Sequence, residues 1–133
     1  MKTFLAGLML VSAMGTSAVA QEYRCQLKVS KADGWVPKEV VIFRDGDAVT
    51  VLDPIIQYYK KKPLQAKVSV DNAKRVTFAW TLDGIKNASG QYVSGMIYRA
   101  SIQKASNKVQ IIAKPQRYAN QFRGNGVCEV KTK

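Results

Sequence analysis

The sequence predicts a small all-β domain: an antiparallel meander of about eight strands, closed into a barrel or a curled sandwich, with one short helix and one disulfide. Three observations predict it. Apolar and polar residues alternate with a period of two over several separate segments, as half-buried strands require. Turn-forming residues separate those segments at short intervals. The two cysteines, Cys25 and Cys128, fall on the first and last of them, and in an up-and-down barrel those two strands are neighbours.

The elements follow in order. Over 22–30, Tyr23, Cys25, Leu27 and Val29 alternate with Arg24, Gln26 and Lys28. Strands over 38–44 and 47–52 flank Asp45-Gly46, a pair suited to a tight hairpin because both residues tolerate positive φ. Asp53-Pro54 opens a helix of about two turns: Asp53 caps the first amides, Pro54 suits the first helical position, Lys60-Lys61-Lys62 suit the last turn, and Pro63 stops it. A strand over 64–70 leads through Asp71-Asn72 to the clearest strand, 74–82, where Val76, Phe78, Trp80 and Leu82 share one face. A polar loop over 83–90 precedes a long strand over 91–103, a short loop at 105–107, and strands over 108–114 and 118–130. Gly124-Asn125-Gly126 reads as a bulge or bend in the last strand.

Residues 1–20 read as a secretory leader. Lys2 is followed by an apolar run over 4–14, and Ala18-Val19-Ala20 supplies the small residues of a cleavage site after Ala20. The run is too short for a spanning helix, which needs about 20 apolar residues. The expectation is a single exported domain over 21–133 with no transmembrane segment, in a bacterial periplasm or secreted. In an oxidising compartment two cysteines favour a bridge. Joining Cys25 to Cys128 closes a loop of about 104 residues, worth up to ~4.7 kcal/mol in the chain-entropy treatment.

Catalytic chemistry is poorly supplied. The chain has no histidine, which removes the commonest general base, the Ser-His-Asp and Cys-His arrangements and most zinc sites. The nine acidic residues sit mostly beside turns, where local structure accounts for them. A non-catalytic domain is expected, without metal or cofactor.

Charge points to partners. Removing residues 1–20 removes one of 21 basic residues and none of nine acidic ones, leaving a net charge of +11. Such a field attracts polyanions. Anionic lipid, lipopolysaccharide or an acidic protein are the candidate partners; nucleic acid would bind as well, but export removes it as a natural ligand. The densest cluster, Tyr58 with Lys60, Lys61 and Lys62, is the candidate anion-binding site. The leading expectation is therefore an exported accessory domain whose basic surface meets an anionic envelope component. The alternative is a barrel that holds a small apolar ligand among Phe78, Trp80, Tyr92, Tyr98, Tyr118 and Phe122.

Tyr23-Arg24-Cys25, Ser94-Gly95-Met96-Ile97-Tyr98 and Cys128 loosely resemble the periplasmic C-type lysozyme inhibitors, small disulfide-bridged β-barrels with a Ser-Gly-x-x-Tyr motif. The resemblance implies a protein inhibitor, with Ser94 and Tyr98 as candidate partner-binding residues. The family's second motif, a Trp and a Lys-Gly pair after the tyrosine, has no counterpart here, since Trp80 precedes Ser94. Two basic proteins also repel at long range.

Expressed with its leader in an exporting bacterial host, the protein should yield an intact mass that begins at Gln21 with one intramolecular disulfide. A mass retaining residues 1–20 would refute the leader.

Overall fold

The computed structural model describes residues 19–132, so the expected leader lies outside the described residues except for its last two. In chain order the elements are β1 (Gln21–Lys28), a 3-10 turn (Lys31–Asp33), β2 (Glu39–Asp45), β3 (Ala48–Leu52), α1 (Pro54–Lys60), β4 (Leu64–Asp71), β5 (Arg75–Leu82), β6 (Ile85–Lys86), β7 (Tyr92–Val93), β8 (Met96–Gln103), β9 (Lys108–Pro115) and β10 (Phe122–Thr132). Eight strands form a closed barrel in the order β1-β10-β9-β8-β5-β4-β3-β2, and β6 pairs with β7 as a separate hairpin. The barrel pairs are all antiparallel. Among the described residues no helix is long and apolar enough to cross a membrane.

Closure rests on β1 and β10. Cys25 lies directly opposite Cys128, with Cα atoms 3.9 Å apart and the side chains joined in a disulfide. The Cys128 amide donates away from β1, to the Asn107 carbonyl at 2.8 Å. The two cysteines therefore form a non-hydrogen-bonded pair, the kind in which cross-strand side chains come closest.

Two glycines on β10 complete the seam. No bulge occurs there: pairing of Gly124-Asn125-Gly126 runs unbroken, to β1 over Asn125 and Gly126 and to β9 over all three. The glycines serve close approach instead. A Cβ on Gly126 would overlap the carbonyl oxygen of Gln26, and one on Gly124 would lie 2.8 Å from the Val36 side chain. The bulge occurs on β4, between Val68 and Val70.

Local signals account for most turns. Asp45 pairs with Ala48, so the hairpin's central residues are Gly46-Asp47, one residue later than the sequence predicts. Only Gly46 has positive φ, the pattern of a II′ turn. Asp53 Oδ1 accepts from the Ile56 amide at 2.8 Å, Pro54 begins the helix, and Lys61 ends it in the left-handed region. Asn72 Oδ1 accepts from the amides of Lys74 and Arg75, both at 2.9 Å.

The predicted strand over 91–103 is two strands. Ser94-Gly95 interrupts it, and the Gly95 carbonyl accepts from the Gln116 amide at 2.9 Å, in the connection after β9. That bond carries the β8–β9 register one residue past Met96↔Pro115; the chain leaves the barrel before it, where Tyr92 and Val93 pair with Lys86 and Ile85 on β6. Likewise β10 begins at Phe122, leaving residues 118–121 in the connection. The polar loop over 83–90 contributes β6.

The interior is filled. Tyr98, Phe78, Ile42, Leu82, Met96, Ile102 and Ile111 are fully buried. Three connections at one end each add a buried apolar residue to the core cluster: Val36 before β2, Ile56 on α1 and Ile85 on β6. An apolar ligand inside the barrel would have to displace these side chains.

Gly126→Ala should destabilise the protein by roughly 1–3 kcal/mol or more, because a Cβ pressed on backbone cannot be relieved by a rotamer change. A urea melt of the oxidised protein reads this directly. An unchanged midpoint would show that the seam is looser than described.

Candidate functional site

The barrel's two ends differ in kind. At one end the connections are the short turns 46–47, 72–74 and 104–107. There Asp71 accepts from Arg44 at 2.9 Å and from Lys104 at 2.7 Å, so one carboxylate is shared by two cations. At the other end lie the long connections: 29–38 with the 3-10 turn, 53–63 with α1, 83–95 with β6 and β7, and 116–121.

The exposed tyrosines are all at this loop end. Tyr58, Tyr92 and Tyr118 are 76%, 76% and 65% exposed. The same four connections carry Lys31, Lys38, Lys60, Lys61, Lys62, Lys86 and Arg117 against Asp33, Asp53 and Asp83. Each of these carboxylates is engaged locally. Asp33 accepts from the Ser30 hydroxyl at 2.6 Å and the Arg123 amide at 3.0 Å. Asp53 caps α1, and Asp83 pairs with Lys60 at 2.9 Å. The Ser30 hydroxyl and the Arg123 amide hold the Asp33 carboxyl below its ordinary pKa, and Lys60 does the same for Asp83. Basic residues also stud the outer wall, including Arg24, Lys67, Arg99 and Lys114, so positive charge alone does not mark one face.

Of the predicted anion cluster, Tyr58, Lys61 and Lys62 are exposed, and neither lysine forms an ion pair among the described residues. Lys60 turns to Asp83 instead. The side chains of Ser94 and Tyr98 offer little surface to a partner. Tyr98 is 1% exposed, stacks on Trp80 with ring centroids 5.4 Å apart, and donates its hydroxyl to the Trp35 carbonyl at 2.7 Å. Ser94 Oγ is enclosed without a hydrogen-bond partner, as is Trp80 Nε1. Tyr92 and Tyr118 lie outside the barrel, because the strands predicted to carry them inward begin later in the chain.

The sequence reading passed over Trp35, which organises this end. Its ring lies 6.4 Å from that of Tyr59, nearly parallel at 22°, and Tyr58 stands at 89° to Tyr59 with centroids 4.9 Å apart. Tyr59 donates its hydroxyl to the Lys86 carbonyl at 3.0 Å. Lys86 in turn lies 4.8 Å from the Tyr92 ring centroid, a cation–π contact. One signal was available: a tryptophan beside Gly34, in a connection that is not a strand, has no strand face to occupy.

Beneath α1 sits the one acid with a strongly raised pKa. Burial pushes the Asp53 carboxyl up from 3.8 to about 6, although the amides of Ile56 and Ile55 favour its charged form. Burial, and then the Asp53 charge, hold the Tyr98 hydroxyl well above its ordinary value. Among the described residues no group of three or more His, Cys, Asp or Glu side chains gathers to hold a metal ion.

Fold and site together define a closed, filled antiparallel barrel with an aromatic, basic loop end. The chain matches no protein-family model, no curated protein and no solved structure.

Because the folded state holds the Asp53 proton more tightly than the unfolded state does, this group's contribution to stability is complete below pH 3.8. It is lost as pH rises through about 6. The span corresponds to roughly 3 kcal/mol. Asp53→Asn keeps a capping side chain and removes the titration. Its stability, measured by urea melts, should be flatter between pH 4 and 7 than that of the wild type. Parallel profiles would refute the assignment.

Proposed function

We propose that the protein is an exported, non-catalytic binding domain of the cell envelope that presents its loop end to an anionic surface component, lipopolysaccharide or anionic lipid. One observation carries this reading: the exposed tyrosines collect on the same end of the barrel as Lys61, Lys62 and Arg117, none of which forms an ion pair among the described residues. Aromatic rings with a polar tip suit a boundary that is apolar on one side and wet on the other. Lysines beside them add roughly 1 kcal/mol each near an anionic surface. Seven basic residues against three acidic ones on these connections leave the end with a net positive charge. The Cys25–Cys128 bridge suits an oxidising compartment such as the periplasm. The absence of histidine supports binding rather than catalysis.

Retention on lipopolysaccharide or anionic vesicles should be strong at low salt and weak at high salt. Lys61→Ala with Lys62→Ala should weaken it by about 30-fold, the equivalent of two surface lysines. No retention at low salt, or retention that ignores the double substitution, would overturn the reading. Capture by an acidic protein with no affinity for either surface would do the same.

A further inference from the structure

Between the 3-10 turn and α1 lies an open groove of about 530 Å³, with Trp35, Ile55, Tyr58, Tyr59, Phe122 and Lys31 among its lining residues. Trp35 and Tyr59 share nearly one ring orientation, and Tyr58 stands across them. Both half-buried rings are held in place before any ligand arrives. The Lys86 carbonyl holds the Tyr59 hydroxyl, the Trp35 ring stacks on Tyr59, and the Tyr98 hydroxyl anchors the Trp35 backbone carbonyl. Val36, next in the chain to Trp35, is buried in the space that Gly124 leaves by lacking a side chain. Rings fixed in advance lose little freedom on binding.

The groove is open, so it suits a flat, partly apolar ring lying on it better than a chain swallowed end-on. A pyranose fits that description: its axial C–H face packs on aromatic rings while its hydroxyls stay in water. The cations specify the rest. Lys31 lines the groove, and Lys61 and Lys62 follow Tyr58 on the same connection. The nearest carboxylate in sequence, Asp33, is committed to Ser30 and the Arg123 amide.

We propose that this groove binds a single pyranose unit carrying a carboxylate or phosphate, with the sugar against the Trp35 and Tyr59 rings, Tyr58 walling its edge, and the anionic substituent toward Lys31. The assignment deepens the envelope reading and rests on it, since it names the sugar of an anionic glycan as what the loop end recognises.

Trp35 provides the readout, because the other tryptophan, Trp80, is only 3% exposed. The oxidised full domain is titrated with trigalacturonate and with its neutral methyl ester while tryptophan emission is followed. Anionic vesicles free of sugar and vesicles containing lipopolysaccharide are run in parallel. We expect a saturable emission change with trigalacturonate, at least about tenfold weaker with the methyl ester, with Lys31→Ala and with Tyr58→Ala. Tyr58 and Lys31 are exposed, so both variants should keep the wild-type circular-dichroism spectrum. A stronger response to lipopolysaccharide vesicles than to sugar-free ones places the sugar on the lipid; a response to the trimer with no response to either vesicle points to a free polysaccharide. No saturable change below about 10 mM, or a change that ignores Tyr58→Ala, overturns the groove assignment. Retention on sugar-free vesicles without any response to the trimer overturns that assignment alone. Failure of both overturns the loop-end reading as well.

Discussion

Every other feature depends on the pairing of β1 with β10, which joins residues about as far apart in the chain as the domain allows. Bringing such distant segments together is entropically costly, and the cost rises slowly with the length of chain between them. Two devices offset it. The disulfide, 103 residues from end to end, removes part of that freedom from the unfolded chain. Gly126 lets β1 and β10 approach where any side chain would strike the Gln26 carbonyl. Once the seam is made, the eight-stranded sheet has no open edge left to recruit another chain. Its inward residues then form one continuous apolar cluster.

Closure also divides the molecule into two ends with different electrostatic characters. At the short-turn end Asp71 lies between Arg44 and Lys104, so both of those cations are ion-paired. At the loop end the carboxylates are occupied by a helix cap, a loop hydroxyl and a single lysine. Screening limits exposed charges to about 8 Å at physiological salt. A ligand therefore responds to the local imbalance at one end more than to the net charge of the whole chain. Clustering of the exposed tyrosines at that same end makes the imbalance chemically specific.

Much of this was legible in the sequence because it is local. Alternation over 74–82 places Val76, Phe78, Trp80 and Leu82 inside, and all four are buried. Asp53-Pro54 reads as a helix start by residue chemistry alone, and it is one. Barrel closure was legible from the placement of Cys25 and Cys128. The loop end was not. Ser94-Gly95 breaks an otherwise regular alternation because Tyr92 and Val93 pair with β6 rather than with the barrel. Trp35 gains its position from Tyr98, 63 residues away, and from Val36 beside Gly124 on β10. Contacts between segments that distant leave no periodic trace. The Lys60 pair with Asp83 was equally hidden, so the helix-end lysines read as one cluster although one of them is turned aside.

Asp53 shows what this arrangement costs. A carboxylate that is 5% exposed, between the first turn of α1 and the Tyr98 hydroxyl, loses hydration that two amides only partly replace. A neutral cap such as Asn would hold the same amides without that penalty. At neutral pH the connection bearing Tyr58, Tyr59 and the lysines is thus less stable than its geometry allows, whereas the seam opposite it is reinforced twice. Local stability in proteins is often lowest where binding loops lie, because a strained or desolvated group there is tolerated only when the scaffold supplies the difference. A barrel locked through Cys25 and Cys128 can carry a charged residue buried at the start of α1. The buried acid and the covalent seam are therefore two sides of one design, in which rigidity at the strands supports a costly but well-positioned aromatic end.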